Sequence, residues 1–174
     1  FVFSSDPQFR LLRLSIEQPM IEVDDNAQTC TVYGNGLVRV HVPIYMKNAG
    51  HYSMMLSPSE LNGLMSKLAK NGLFEIDVDT LRRRKKAALQ RKLENARNAS
   101  SAKPLTIVFD DHVAEIQIRL DAYYPAETSR SIQENIDRKI TWQGAERDAE
   151  IFPEIEGIAK FAEAERTLRS LMEH

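Results

Sequence analysis

Hydrophobic and polar positions alternate every second residue from Arg10 to Glu17, with Leu12, Leu14 and Ile16 set against Arg13, Ser15 and Glu17, and Pro19 closes the run. That period predicts a half-buried strand. A second β-branched stretch, Thr29 to Val42, is broken by Gly34-Asn35-Gly36 and reads as a hairpin. Its register follows from sorting the faces. A two-residue loop mixes apolar and polar side chains on both faces. A three-residue loop opposes Val32 with Val38 and Cys30 with Val40 on one face, and Thr31 with Arg39 and Thr29 with His41 on the other. The three-residue loop, with Gly36 in the left-handed conformation of a bulge, is therefore the expectation, because a slip of one residue would turn the apolar set toward water.

Ser57-Pro58-Ser59-Glu60 carries the signals of a helix start: Ser57 as cap, Pro58 in the first helical position, and Glu60 three residues after the cap to close a capping box. Leu61, Leu64, Met65 and Leu68 then form one apolar stripe. Asn71-Gly72 ends it, and Leu73 is placed to fold back on the helix. The helix is expected over roughly 58 to 71. Pro104 opens a second hairpin, in which Leu105, Ile107 and Phe109 lead into Asp110-Asp111 and Ala114, Ile116, Ile118 and Leu120 return. A two-residue loop there opposes Ile107 with Ala114 and Leu105 with Ile116. Residues 123 to 138 are polar and turn-rich, with only Lys139 to Trp142 suggesting a further short strand. After Phe152-Pro153, the residues Ile155, Ile158, Phe161, Ala162, Leu168, Leu171 and Met172 share one face of a last helix.

Strands and helices in this order predict an α+β fold: a mainly antiparallel sheet of about four to six strands, with two or three helices packed on one face. Residues 1–174 read as one domain carrying a basic helical or flexible insertion at about 79–103. At 43% hydrophobic and 28% charged residues, with a net charge of −2, the 174-residue chain excludes collagen-like, disulfide-framework and wholly disordered classes. No apolar run reaches the roughly 20 residues a membrane helix needs. Cys30 is the single cysteine, so there is no intrachain disulfide, and its place on the core face reads as a small buried hydrophobe. The first residue is Phe1 rather than Met, so the chain reads as a mature or trimmed one whose targeting segment, if it had one, is gone.

The basic segment departs most from a neutral domain. Arg82, Arg83, Arg84, Lys85, Lys86, Arg91, Lys92 and Arg97 fall within 16 residues against Glu94. Such a run could hold an anionic polymer or membrane surface, with affinity that falls as salt rises. It carries no aromatic residue to stack on a base, so a nucleic acid ranks low. The plainer reading is a solvated helix or arm that adds little to the core and faces the acidic C-terminal region. Between His41 and Leu56, Tyr45, Met46, Tyr52, Met54 and Met55 have the chemistry of a ligand groove or partner surface. Packing under the sheet is the expectation for them; an exposed patch, if there is one, belongs here.

His41 and His51, with Asp24 and Asp25 upstream, are the residues a metal-dependent hydrolase would use, but their ten-residue spacing fits no helical ligand motif, and two surface histidines are the simpler reading. His112 lies at a hairpin tip, and Asp110-Asp111 is the chemistry of a solvated turn. No nucleophile elbow, phosphate-binding loop or dinucleotide fingerprint is present. No catalytic residue, metal ligand or cofactor is therefore assigned, and the balance lies against an enzyme. The binding candidates are Tyr45, His51, Tyr52, Arg82, Arg83, Arg84, Lys85 and Lys86, and the partner is an unspecified protein or small ligand.

Taken together, the Val32-Tyr33-Gly34-Asn35-Gly36-Leu37-Val38 hairpin, the Leu56-Ser57-Pro58-Ser59-Glu60-Leu61 helix start, the Gly72-Leu73-Phe74 exit and the second hairpin resemble uncharacterised exported bacterial proteins. The resemblance spans about 29 to 75 and 104 to 120, and the basic insertion has no counterpart in it. It implies a periplasmic or cell-surface location and a binding or structural role, with no catalytic residues to carry over.

Overall fold

The structure is a computed structural model and describes residues 1–21, 23–98, 111–125 and 132–173. Its fold is α+β: six antiparallel strands in one sheet, with four α-helices among the described residues. The strands are β1 (Arg10–Glu17), β2 (Ala27–Tyr33), β3 (Leu37–Val42), β4 (Gly50–Met55), β5 (Val113–Tyr123) and β6 (Gln133–Gln143). They lie in the order β4-β3-β2-β1-β5-β6. The helices are α1 (Pro58–Lys70), α2 (Val78–Asn98), α3 (Ala145–Ile151) and α4 (Glu156–Arg169), with short 3-10 turns at Leu73–Glu75 and Ser170–Met172.

The β2–β3 register is the one that sorts the faces: Val32 opposes Val38, Cys30 opposes Val40, Thr31 opposes Arg39 and Thr29 opposes His41. Gly36 adopts φ +89°, and the Asn35 side chain accepts from Leu37 N at 3.1 Å to hold the turn. A Cβ at Gly36 would stand 2.4 Å from the Leu56 carbonyl, so close approach as well as left-handed backbone requires glycine there. In α1, Ser57 accepts from Glu60 N at 3.2 Å while Glu60 accepts from Ser57 N at 2.7 Å, which completes the capping box. Gly72 at φ +69° then turns the chain so that Leu73 and Phe74 are fully buried.

One face of the sheet is the core. Leu12, Leu14, Ile16, Cys30, Val32, Val38, Val40, Ile116, Ile118 and Ile140 point into it and meet Leu61, Met65 and Leu68 of α1 and Ile158, Phe161 and Leu168 of α4. The opposite face carries rows of polar side chains, such as Lys139, Gln117, Arg13, Thr31, Arg39 and Ser53 from one edge to the other. This is the arrangement of an antiparallel sheet with one wetted face.

Leu105, Ile107, Phe109 and Asp110 lie outside the described residues, and β5 has β1 on one edge, where Ile116 meets Leu14, and β6 on the other, where it meets Ile140. Two expectations change. First, β6 runs for eleven residues where only Lys139 to Trp142 was foreseen. Its inward positions are Ile136, Arg138, Ile140 and Trp142, and Arg138 masks the alternation because its guanidinium donates to Phe74 O at 2.7 Å.

Second, the basic segment is an ordered helix over Val78–Asn98, and its first half joins the core. Leu81 and Ala88 are buried, and Leu81 packs so closely on α4 that a Cβ at Gly157 would stand 2.5 Å from it. Between these two contacts Lys85 reaches Asp148 of α3, whose carboxylate is 3% exposed and also accepts from Trp142 Nε1 at 2.8 Å. The acidic C-terminal region thus anchors the helix through one buried carboxylate.

Candidate functional site

The structure separates the binding candidates into two places. Tyr45, His51 and Tyr52 sit at the β4 end of the sheet, while Arg82 to Lys86 lie on α2 beside β6 at the other edge. Five strand spacings, about 24 Å, lie between.

On α2 the cations divide by the side of the helix they occupy. Arg82 donates to Thr141 O of β6 at 3.3 Å, Lys85 is bound to Asp148 and lies 5.6 Å from the Trp142 ring centroid, and Lys92 lies 5.7 Å from that of Phe152. These three dock the helix. Arg83 bonds along its own helix to Thr80 at 2.9 Å, and Arg83, Arg84, Lys86, Arg91 and Arg97 are exposed. An open groove of about 1170 Å³ runs between the start of α2, β6 and α4. It mixes both signs of charge, and several are already engaged: Lys160 with Glu156 at 2.9 Å, Lys139 with Glu115 at 2.7 Å, and Asp77 with Thr80. Its five carboxylates and four cations nearly cancel, which leaves little net charge to select a charged ligand.

At the other edge His41 and His51 stand directly opposite on β3 and β4, with their rings stacked at 4.6 Å. His41 Nε2 bonds Asp25 at 2.6 Å. The Tyr45 hydroxyl donates to Asn26 O at 2.8 Å, and removal from water together with the Asp25 charge raises its pKa. Among the described residues no three His, Cys, Asp or Glu side chains are placed to hold a metal ion, so the hydrolase reading finds no ligand set there. Cys30 is buried and its thiol is pushed up to about 12 by that burial, far from the thiolate a nucleophile needs.

Compared with known protein families, curated proteins and solved structures, the chain matches none. The function has to be read from the geometry.

The geometry overturns the expectation that Tyr45, Met46, Tyr52, Met54 and Met55 pack under the sheet. Ile44, Tyr45, Met46, Tyr52 and Met55 are exposed, Ile44 by 81% and Met55 by 62%, and only Met54 is half-buried. Under β4 lies a groove of about 460 Å³ lined by Val40, Val42, Met46, Tyr52, Met54 and Leu171. The Tyr52 hydroxyl donates to Asn48 O at 2.8 Å and fixes its ring at the mouth.

The two sheet edges differ in kind. β6 carries Glu134, Asp137 and Lys139 and is flanked by α2. Its charges are the usual protection of a sheet edge against pairing. β4, Gly-His-Tyr-Ser-Met-Met, has no Lys, Arg, Asp, Glu or Pro, and no described strand lies beyond it. Because Leu56 N donates to Gly36 O at 2.9 Å, strand alternation turns Met54 and Tyr52 toward β3 and leaves the backbone N–H and C=O of His51, Ser53 and Met55 facing outward.

Sequence reasoning also missed two buried carboxylates. Glu165, 2% exposed, bonds His112 at 2.7 Å and Arg169 at 2.5 Å, and Asp148 holds α2. A signal for Glu165 was present, since it falls on the apolar stripe of α4 between Ala162 and Leu168.

Proposed function

We propose that this chain is a non-catalytic binding domain of an exported protein, and that it takes a protein partner along β4. The observation that carries the reading is an uncharged edge strand with outward backbone groups at His51, Ser53 and Met55, bordered by exposed Tyr52, Met46 and Met55. Aromatic and methionine side chains beside free strand hydrogen bonds are the chemistry of strand addition, in which main-chain bonds give affinity and alternate side chains give selectivity. The periplasmic or cell-envelope placement rests on the likeness of the glycine-turn hairpin and capped helix to exported bacterial proteins.

The test compares the protein with its Ser53→Pro variant, both immobilised and exposed to a bacterial envelope extract. Proline at an outward-facing edge position removes a free donor without breaking an internal bond. Proteins held by the native chain and lost by the variant support the reading. The same set held by both refutes it.

A second reading rests on the outward cations Arg83, Arg84, Lys86, Arg91 and Arg97 of α2, which could hold a sulfated or phosphorylated polymer. Heparin binding that weakens steeply with salt and disappears in an Arg84→Gln, Arg91→Gln, Arg97→Gln variant would support it. Binding that survives both changes would dismiss it.

A further inference from the structure

We propose that the partner on β4 is a second copy of this chain, joined antiparallel about a two-fold axis through Ser53 so that two six-stranded sheets become one of twelve. This rests on the reading of β4 as the interaction edge and names its occupant. The outward backbone groups fix the register. Only residues 51, 53 and 55 can bond across, and a two-fold that keeps the core faces on one side must pair odd residues with odd, so Ser53 meets Ser53 of the other copy and His51 meets Met55. Three such pairs form six backbone hydrogen bonds.

The side chains are complementary in that register. Between the bonded pairs, Tyr52 of each copy faces Met54 of the other on the core side, giving two sulfur–aromatic contacts by symmetry. These contacts extend the groove lined by Val40, Val42 and Met46 from one copy into the next. Charge points the same way. A two-fold interface sets like against like near its axis, so an edge with ionised side chains repels its own copy. β4 carries no Lys, Arg, Asp or Glu, whereas β6 has Glu134, Asp137 and Lys139.

The area sets the strength. Tyr52, Met55 and Met46 are 51%, 62% and 37% exposed. At roughly 200 Å² for a whole side chain, they offer on the order of 300 Å² per copy. With the strand backbone the total stays below about 1,000 Å², at the weak end of specific interfaces, so the dimer is weak and exchanges with free chains.

Sedimentation across about 1 µM to 1 mM protein tests this, and the expected mass rises from 19.9 kDa toward twice that value. Ser53→Pro should weaken the association by at least about tenfold. A covalent test does not depend on that variant folding. Ser53→Cys, treated with oxidised glutathione, should form a disulfide-linked dimer, because bonded antiparallel pairs bring Cα atoms to about 5.5 Å, within the disulfide range. Glu134→Cys on the opposite edge should not, and Cys30, buried with its thiol raised to about 12, stays out of the reaction. A protein monomeric at 1 mM, or a dimer whose Ser53→Cys form links no faster than Glu134→Cys, overturns the second copy as occupant. The extract comparison decides separately whether β4 binds another protein: partners lost by Ser53→Pro would keep that reading without the self-pairing, and their absence for a chain that is also monomeric at 1 mM would end it.

Discussion

Replacing Lys85 by methionine removes the cation that meets Asp148 while keeping the length and apolar stem of the side chain. The Asp148 carboxylate is 3% exposed, and after the change it retains Trp142 Nε1 at 2.8 Å and Arg147 at 3.8 Å. A buried carboxylate that loses its close partner costs about 3 kcal/mol. The reciprocal change, Asp148→Asn, leaves the Trp142 donor an amide oxygen, and Lys85, 32% exposed, can turn its ammonium to water, so about 1 kcal/mol is expected. In the double variant no buried charge is left unpaired. It should cost about 1 to 2 kcal/mol, short of the sum of the singles by about 2 to 3 kcal/mol. Urea unfolding followed by circular dichroism gives all four stabilities. Additivity within about 0.5 kcal/mol would refute the claim that this pair holds α2 on the sheet.

Cys30 gives a prediction in pH. Its folded pKa, about 12, lies above the ordinary thiol value of 9.0, so the unfolded chain releases this proton first as pH rises. Stability from this group is complete below about pH 9 and declines toward pH 12, by up to about 1.4 kcal/mol per pH unit, and the native thiol stays unreactive to a disulfide reagent until the chain unfolds. Cys30→Ala should lack that part of the decline; equal alkaline slopes would contradict it. Two glycines should respond oppositely in thermal melting. Gly63→Ala, in α1 with open space around the added carbon, should stabilise by roughly 0.5 to 1 kcal/mol, and Gly34→Ala, whose Cβ would stand 1.8 Å from Ser4 O, should destabilise by about 1 to 3 kcal/mol.

The elements legible from the sequence are those where one rule decided the outcome. Register in the β2–β3 hairpin followed from face sorting, because Val32, Val38, Cys30 and Val40 become core only in one alignment. The start of α1 followed from the cap, the proline and the reciprocal glutamate. Edge strands were the harder part. In β6 an inward Arg138 interrupts the period, and in β4 the run Gly-His-Tyr-Ser has no alternation to read, since an edge strand beside an open groove is not forced to bury one face. The docking of α2 was hidden for a related reason: Lys85 and Lys92 share its inner side with Leu81 and Ala88, and a polarity pattern counts them as solvent-facing although their stems and charges bind inward. The exposed residues around Tyr52 were singled out in the sequence for their chemistry, but whether they lay under or outside the sheet depended on β4 being its last described strand.

Amide hydrogen exchange along β4 tests the account most directly. In dilute protein the amides of His51, Ser53 and Met55 should exchange rapidly while those of Tyr52 and Met54, bonded to β3, are slow. On raising the concentration toward 1 mM, the first three should become protected with no change elsewhere in the sheet. Protection of His51, Ser53 and Met55 already present at high dilution, or exchange that does not depend on concentration, would contradict an open edge that pairs with its own copy.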